Sequence, residues 1–285
     1  MKKILAVLMA VLMMVSVMAA CGGNTEEAAA KTAKVIQVDL TQELYAFGVD
    51  KAQPELLEKV NTFIGEIKAD GTLDAICNKY FGEGTPEPVT SAALDETKDQ
   101  LVVATNAAFE PFEYMEGDKY LGIDMEIAKL LADYLDLELV INNMDFDAVC
   151  LSVGQHKCDI AMAGLTINET RKESVDFSES YYEASQRLIV KSDDTTFDGI
   201  SSPDEIEAKL NALGKDTKVG YQNGTTGQFY VDGDADWGFD GLNVTGVGYK
   251  NGSLAVQDML NGNLDYVIID KEPANFITES INKLA

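Results

Sequence analysis

The two residues best suited to bind a small charged molecule both follow strand-like runs of the sequence. Arg171 ends the segment AGLTINETR, whose small residues would let a ligand approach the backbone, and the chain contains only one other arginine. A guanidinium can hold a carboxylate through two parallel hydrogen bonds, although a surface ion pair is the plainer role. Asp270 ends the apolar run YVIID, where its carboxylate could balance an ammonium group or cap the next helix.

A third group is the loop NAAFEPFEY (106–114), in which three aromatic residues follow a strand. These rings could hold a flat or apolar group between them, or they could belong to the core. Glu113 in this loop is expected to be a solvated carboxylate. The single histidine, His156, lies far along the chain from these loops, so the sequence gives little support to acid–base catalysis and we expect no enzyme.

Four aspartates have the spacing of a calcium-type loop: Asp232, Asp234, Asp236 and Asp240. Such a loop needs a glycine where this chain has Trp237 and a bidentate glutamate where it has Asn243. A solvated acidic loop is therefore expected, and neither a metal nor another cofactor is predicted.

The elements that position these residues alternate between strand and helix. Strand signals lie at 101–105, 139–141, 159–163, 187–190, 218–221 and 266–270. Helix signals lie at 123–134 and 146–153, from Ser202, after Gly224, and at 256–260 and 273–281. This alternation predicts α/β units with mostly parallel sheets, and the length of 285 residues predicts two lobes.

The first residues predict export. Residues 1–20 combine two lysines with an almost unbroken apolar run, as in a signal peptide, and the run is at the short limit for a membrane anchor. The string MAACGG resembles the lipobox of bacterial lipoproteins, which makes Cys21 the expected lipid anchor. Residues 21–33 would then be a flexible tether that holds the protein on the outer face of the cytoplasmic membrane.

The net charge limits the classes of binding partner, and the cysteine content limits the possible disulfides. The net charge of −26 would repel nucleic acid, so no nucleic-acid partner is expected. Beyond Cys21, the cysteines Cys77, Cys150 and Cys158 lie in apolar segments. Buried free thiols are predicted, with a disulfide between Cys150 and Cys158 as the alternative.

Together the loops resemble the amino-acid-binding proteins of ABC importers, the bacterial extracellular solute-binding proteins of family 3, which have the type 2 periplasmic binding protein fold. The resemblance covers residues 35–82 and 101–278. It is carried by the strings ATNAAFEPFEY, YLGIDMEIAKLLA, MDFDAV, DIAMAGLTINETRKESVDFSESYY, VGYQNGTTGQFY and LDYVIID. It implies a monomer of two lobes, each a mixed sheet flanked by helices, that closes on an amino acid along two hinge strands and delivers it to a permease. A sensory module, or a dehydratase or lytic enzyme on the same fold, is the alternative.

The resemblance also implies which residues contact the ligand. They are Asn106, Phe109, Phe146, Ala163, Gly164, Thr166, Arg171, Gln222, Thr226 and Asp270. Arg171 and Thr226 would hold the α-carboxylate. Asp270, with Thr166 and the Gly164 carbonyl, would hold the α-ammonium group.

The far end of the ligand would lie among the remaining residues. Phe109 and Phe146 would clamp its side chain, and Asn106 and Gln222 would border the tip. Family members for basic amino acids, and those for glutamine, commonly have an aspartate where this chain has Asn106, and others add polar groups at Ile269. Because no spare charge is expected to face the tip, we predict a neutral, polar, glutamine-like ligand, and we expect basic ligands to be excluded.

The elements occur in an unusual order. In the resembled family, the counterparts of residues 34–82 follow the strand YVIID, whereas here they come first. Each required part occurs once, which predicts a circular permutation rather than a fusion with the remnant of another protein. This interpretation predicts that Ala285 lies near Lys34. The predicted small lobe is 34–43 with 192–285, the large lobe is 44–82 with 101–191, the hinges are 44–49 and 186–191, and the connector is 83–100.

Overall fold

A computed structural model describes residues 31–82 and 84–285 of the chain. The expected signal peptide (1–20), Cys21 and the first part of the expected tether lie outside the described residues. Among the helices that are described, none combines the length and the apolar character needed to cross a bilayer.

Fourteen strands and nine helices are formed by the described residues. The strands are β1 (Ala33–Val35), β2 (Glu43–Tyr45), β3 (Gly48–Asp50), β4 (Gln100–Thr105), β5 (Tyr114–Glu116), β6 (Lys119–Leu121), β7 (Glu138–Asn143), β8 (Ile160–Ala161), β9 (Val175–Phe177), β10 (Tyr182–Ala184), β11 (Gln186–Lys191), β12 (Lys218–Gln222), β13 (Thr245–Tyr249) and β14 (Tyr266–Asp270). The helices are α1 (Pro54–Ala69), α2 (Thr72–Phe81), α3 (Ile123–Tyr134), α4 (Phe146–Gly154), α5 (Glu169–Lys172), α6 (Pro203–Leu213), α7 (Thr226–Asp232), α8 (Gly252–Asn261) and α9 (Lys271–Leu284).

Two five-stranded mixed sheets organise the molecule. The first has the order β1-β11-β14-β12-β13, and with the helices α6 to α9 it forms what we call the small lobe. The second has the order β7-β4-β8-β3-β9, and with α1 to α5 it forms the large lobe. Each sheet contains both parallel and antiparallel neighbours, which confirms the expected two-lobed α/β class but not the mostly parallel pairing.

The helices follow from local sequence signals. α1 begins at Pro54, where a proline loses no helical hydrogen bond, and its buried side chains recur at helical spacing: Val60, Phe63, Ile64 and Ile67. α6 begins after Ser202, whose hydroxyl accepts a hydrogen bond from the backbone N–H of Glu205. The helix predicted to begin at Ser202 is therefore confirmed, with Ser202 as its N-cap.

A two-stranded antiparallel pair, β2 with β10, lies where two segments of the chain pass between the sheets. The first segment runs from β1 in the small lobe to β3 in the large lobe, and the second runs from β9 in the large lobe to β11 in the small lobe. β11, which coincides with the expected hinge 186–191, pairs along its length inside the small-lobe sheet with β1 and β14.

The residues that precede β4 in the chain complete both lobes. β1 forms an edge of the small-lobe sheet, and β3 lies between β8 and β9 in the large-lobe sheet. Ala33, at the end of the expected tether, is buried and lies opposite Lys191 of β11, while its backbone N–H and carbonyl bond the side chain of Asn282. The expected connector packs on the large lobe through a bridge from Val89 to Tyr120 and a bond from the Ala92 N–H to the Leu139 carbonyl.

The cysteines of the described residues are free thiols: Cys77, Cys150 and Cys158. The alternative of a Cys150–Cys158 disulfide is therefore wrong, and the thiols are free as predicted, but Cys77 and Cys150 are half-buried and Cys158 alone among these three is buried. Burial raises the pKa of the Cys77 thiol to about 11, which keeps this group unreactive as a neutral thiol.

Candidate ligand-binding site

The site lies at the carboxyl ends of parallel strands from both lobes. β4 and β8 run parallel in the large lobe and are followed by Asn106 and Ala163. β12 and β14 run parallel in the small lobe and end at Gln222 and Asp270. This edge is where open α/β sheets bind their ligands, so both sheets present their ligand-binding edges to one cleft.

Arg171 links the two lobes across this cleft. It lies in the short helix α5, where the side chain of Asn168 accepts the Arg171 backbone N–H at 2.6 Å. Its guanidinium is buried and donates to the carbonyl of Thr166 at 2.7 Å in the large lobe and to the carbonyl of Gly224 at 3.0 Å in the small lobe. A guanidinium has five N–H donors, so three remain to bind a carboxylate.

Asp270 supplies a buried carboxylate from the small lobe. Although it precedes α9, its side chain makes no capping bond to that helix, which excludes the simple role of a helix cap. It accepts the hydroxyl of Tyr45 at 2.5 Å. Burial, with the negative charge of Glu43 as the next cause, raises the pKa of Asp270 to about 7. An ammonium group beside it would offset both effects and keep it ionised.

Glu43, which the sequence analysis did not single out, is a second buried carboxylate at this cleft. Its Oε1 accepts the Thr41 hydroxyl at 2.6 Å and the Gln186 amide at 2.9 Å. Its Oε2 accepts the Thr166 hydroxyl at 2.7 Å. Strand alternation could have found it, because Glu43 lies two residues before the buried Tyr45 and therefore on the same face of β2.

The loop Ala163–Thr166 needs glycine at its second position. Gly164 has a φ of +53°, and a Cβ there would lie 2.9 Å from the ring of Phe109. The Gly164 N–H donates to Asp124 at 2.9 Å, and the Tyr181 hydroxyl donates to the same carboxyl at 2.6 Å. Burial raises the pKa of Asp124 to about 7. The fully buried Asp124, which the sequence analysis missed, thus holds the loop in place.

The two amide side chains expected at the tip of the ligand contact each other directly. The Nε2 of Gln222 donates to the Oδ1 of Asn106 at 3.1 Å across the cleft, and the Nδ2 of Asn106 donates to the carbonyl of Met144 at 2.7 Å. Among the described residues the buried Oε1 of Gln222 has no partner. Separation of Asn106 from Gln222 would free polar groups on both side chains.

The remaining predicted residues line the same cleft. The hydroxyl of Thr226 lies 3.4 Å from that of Thr166 and closes the gap between the lobes. The ring of Phe146 lies 5.2 Å from the Arg171 guanidinium carbon, a cation–π distance. Phe109 packs beside Phe112, with ring centroids 6.1 Å apart. The structure thus brings the predicted residues into one cluster, in which Phe146 also contacts Arg171.

The expectation of a solvated Glu113 is wrong. Its side chain is fully buried, and within residues 31–82 and 84–285 neither carboxyl oxygen has a hydrogen-bond partner. Burial, with the charges of Asp124 and Asp270 as further causes, raises the pKa of Glu113 well above its usual range. Burial within the aromatic loop therefore favours the neutral form of the Glu113 side chain.

The other candidate residues form bonds outside this cleft. His156 approaches Asp50, with Nδ1 2.8 Å from Oδ2. In the acidic loop, Asp234 accepts the backbone N–H groups of Asp236 at 2.9 Å and Trp237 at 3.1 Å. In the part of the chain that the structure describes, no group of three or more His, Cys, Asp or Glu residues is placed to hold a metal ion.

This chain is similar to known proteins. The sequence model of the family described as bacterial extracellular solute-binding proteins, family 3, matches residues 9–83 and 101–278. An arginine-binding extracellular protein of Bacillus subtilis is 33% identical over 120 residues, which are 42% of this chain and 46% of that protein. A probable histidine-binding protein of Neisseria gonorrhoeae is 30% identical over 177 residues, which are 61% of this chain and 60% of that protein. The chain thus spans less than two thirds of the length of either relative.

The fold of this chain is also similar to that of a solved amino-acid-binding protein. An ancestral arginine-binding protein bound to glutamine superposes with a TM-score of 0.52 and 32% identity, over 66% of this chain and 74% of that one. The likeness therefore covers most of both chains.

Proposed function

The chain belongs to the bacterial extracellular solute-binding proteins of family 3, and we propose that it binds a free L-amino acid between its lobes for delivery to an ABC importer. The observation that carries this proposal is that one cleft contains Arg171 from the large lobe and Asp270 from the small lobe. Arg171 has spare donors for a carboxylate, and among the described residues no cation contributes to the electrostatics of the buried Asp270 carboxylate. A zwitterionic amino acid satisfies both.

We propose a neutral polar side chain, such as that of glutamine, for the ligand. The tip of the cleft is formed by the amides of Asn106 and Gln222, which together offer donors and acceptors but no charge. The ancestral arginine-binding protein that this chain resembles was solved with glutamine bound, which supports a ligand of this kind.

A basic amino acid is the second candidate, because buried carboxylates outnumber buried cations around the cleft. Glu43, Asp124 and Asp270 are buried there, and Arg171 is the buried cation that faces them among the described residues. The relatives from Bacillus subtilis and Neisseria gonorrhoeae are named for arginine and histidine. If the second candidate is correct, the charge of the ligand side chain would have to reach one of these carboxylates.

Closure of the lobes would convert binding into a signal for the permease. We place the hinge at the pair formed by β2 and β10, which joins the two passages between the sheets. The contacts that cross the cleft and would break on opening include Arg171 to Gly224, Gln222 to Asn106, Thr226 to Thr166, and Lys250 to Asp145 at 3.1 Å. A ligand held by both lobes favours the closed form because some of its contacts exist only there.

The proposal extends to the order and the anchoring of the chain. We propose a circular permutation, supported by the completion of both lobes by residues 33–50. Export as a lipid-anchored monomer through Cys21 is proposed from the string MAACGG and the small, polar segment after it. Mass spectrometry of the N-terminal peptide from membranes tests the anchor, and light scattering after size exclusion tests the monomer.

A thermal-shift screen of the exported domain against the twenty amino acids, followed by calorimetry, tests the function. A ligand that binds the native state raises the melting temperature, and we expect the largest rise with glutamine or a similar neutral amino acid. A dissociation constant of roughly a micromolar is expected. Recovery of the bound amino acid unchanged argues against an enzyme, and the absence of a shift with any of the twenty would refute the proposal.

A further inference from the structure

Glu43 connects the hinge to the ligand loop. It lies on β2, in the pair where the chain passes between the lobes. Thr41, on the same passage, and Gln186, on the other passage, both donate to its Oε1, while Thr166 in the ligand loop donates to its Oε2. The Thr41 hydroxyl also accepts the backbone N–H of Gln186 at 2.8 Å. One carboxylate therefore joins both crossing segments to the loop.

The bond to Glu43 decides how Thr166 can meet a ligand. A threonine hydroxyl has one hydrogen and two lone pairs, and the hydrogen of Thr166 is donated to Glu43. The oxygen of Thr166 can then only accept from a ligand. An ammonium group has three donors and no acceptor, whereas a carboxylate has only acceptors. With Glu43 in place, Thr166 therefore suits the ammonium end of an amino acid and disfavours its carboxylate end.

Glu43 also adds negative charge where the ammonium group would lie. Its charge acts directly on Asp270. The other ionisable groups that face Asp270 are Tyr45, which donates to it, and the buried Glu113. Two carboxylates in a desolvated cleft repel each other, and a ligand ammonium between them relieves that repulsion.

We infer that Glu43 is a positioning residue for the ligand's ammonium group, fixing the hydrogen-bond direction of Thr166 and supplying the second negative charge beside Asp270. This inference rests on the proposed function. The inference adds a hinge residue, Glu43, to the binding site. Glu43 makes the site prefer the ammonium end of the amino acid at Asp270. It also makes the closed hinge itself sensitive to a cation in the cleft.

The test is the variant Glu43→Gln, with Glu183→Gln as the matched control. Glu183 lies on β10 opposite Leu44 and is exposed, so it undergoes the same change without touching the cleft. A glutamine at 43 keeps one acceptor oxygen and cannot serve three donors. We expect it to weaken binding of the best amino acid by about tenfold or more, and the control to stay within about twofold.

Two further readouts separate positioning from a merely structural role. The acid side of the affinity profile should move to lower pH in Glu43→Gln, because Asp270 loses a like-charged neighbour. The α-hydroxy analogue of the ligand, which lacks the ammonium group, should bind the variant and the wild type about equally. If the amino acid keeps its affinity and its pH profile in the variant, the inference is overturned.

The wild type distinguishes this failure from failure of the proposed function. A wild type that binds none of the twenty amino acids overturns both, whereas a wild type that binds one, beside an unchanged Glu43→Gln, overturns only the inference about Glu43. If Glu43→Gln does not fold, the affinity and the pH profile of Glu43→Asp test the inference instead. Its shorter side chain keeps the charge but cannot reach all three donors, so weaker binding with a nearly unchanged pH profile supports the inference and unchanged affinity overturns it.

Discussion

Asn282 on the last helix holds the backbone of Ala33 on the first strand by two hydrogen bonds. The Ala33 N–H donates to the Oδ1 of Asn282 at 3.0 Å, and the Nδ2 of Asn282 donates to the Ala33 carbonyl at 2.8 Å. An amide side chain that satisfies both groups of one residue replaces a neighbouring strand at that point. α9 and β1 are therefore neighbours in the small lobe, although Ala33 and Asn282 lie 249 residues apart in sequence.

The first prediction follows from this neighbourhood. A chain reordered as residues 84–285 followed directly by 31–82 should fold and bind the same amino acid with an affinity within about threefold, because it keeps every sheet neighbour and needs only a short new connection. The control is a chain of residues 31–285 in its present order. Calorimetry and melting curves make the comparison. An insoluble or non-binding reordered chain would count against the circular permutation.

The fold was predictable where periodicity and turn signals coincide. The strand expected at 266–270 is β14, and the helix expected at 273–281 lies inside α9. β13 was missed because its sequence, TGVGY, has two glycines and little apolar content. Those glycines are needed by tertiary neighbours, since a Cβ at Gly246 would lie 2.8 Å from the ring of Tyr221 and one at Gly248 1.9 Å from the Asn223 side chain. The periodicity of the local sequence does not indicate such contacts with distant residues.

The site was only partly predictable for a related reason. Arg171 and Asp270 stand out because they end strand-like or small-residue segments. Asp124 does not, because an acid in the first turn of a helix is ordinary, and only the fold reveals that it bonds Gly164, 40 residues away. Glu113 was misjudged because its burial depends on the packing of the whole aromatic loop.

The second prediction concerns the carboxylate end of the ligand. Arg171→Lys should weaken binding by about 10- to 100-fold, since an ammonium cannot reproduce the planar fork of a guanidinium and hydrogen bonds to charged groups contribute about 1.5–3 kcal/mol. The other arginine offers a matched control. Arg187 bonds Asp39 and Gln37 rather than the ligand loops, so Arg187→Lys should lower stability slightly and leave affinity nearly unchanged. Equal affinity in wild type and Arg171→Lys would remove Arg171 from the site.

The third prediction tests the class of side chain. Asn106→Asp should gain affinity for lysine or arginine by about tenfold or more, because it places a carboxylate at the tip of the cleft where a buried cation otherwise lacks a partner. Asn142→Asp is the control, since Asn142 is exposed on β7 and undergoes the same change of charge. Calorimetry with glutamine and lysine compares the variants. Tight binding of lysine by the wild type would refute the neutral-ligand proposal and favour the second candidate.

The fourth prediction is a loss of affinity on acidification. Burial and the charge of Glu43 raise the pKa of Asp270 to about 7, and Tyr45 and Glu113 are the other ionisable groups that face it. The ammonium group of a ligand needs the ionised carboxylate. Affinity should therefore be constant well above about pH 7 and fall as the pH drops through that value, by up to about tenfold per unit.

The stability of the free protein should rise as the pH drops, whereas the affinity for the ligand should fall. This contrast distinguishes titration of Asp270 from a general loss of stability in acid. A carboxyl whose pKa is raised by folding contributes stability that is fully present below its ordinary value near 4 and is lost as the pH rises through about 7. The contribution of Asp270 should give the free protein a higher melting temperature at about pH 6 than at about pH 8. The increase in melting temperature caused by the ligand should be larger at the higher pH. Asp270→Asn is the control, since it should bind weakly with a nearly flat profile. A wild type whose affinity is as flat as that of the variant would show that Asp270 does not receive the ammonium group.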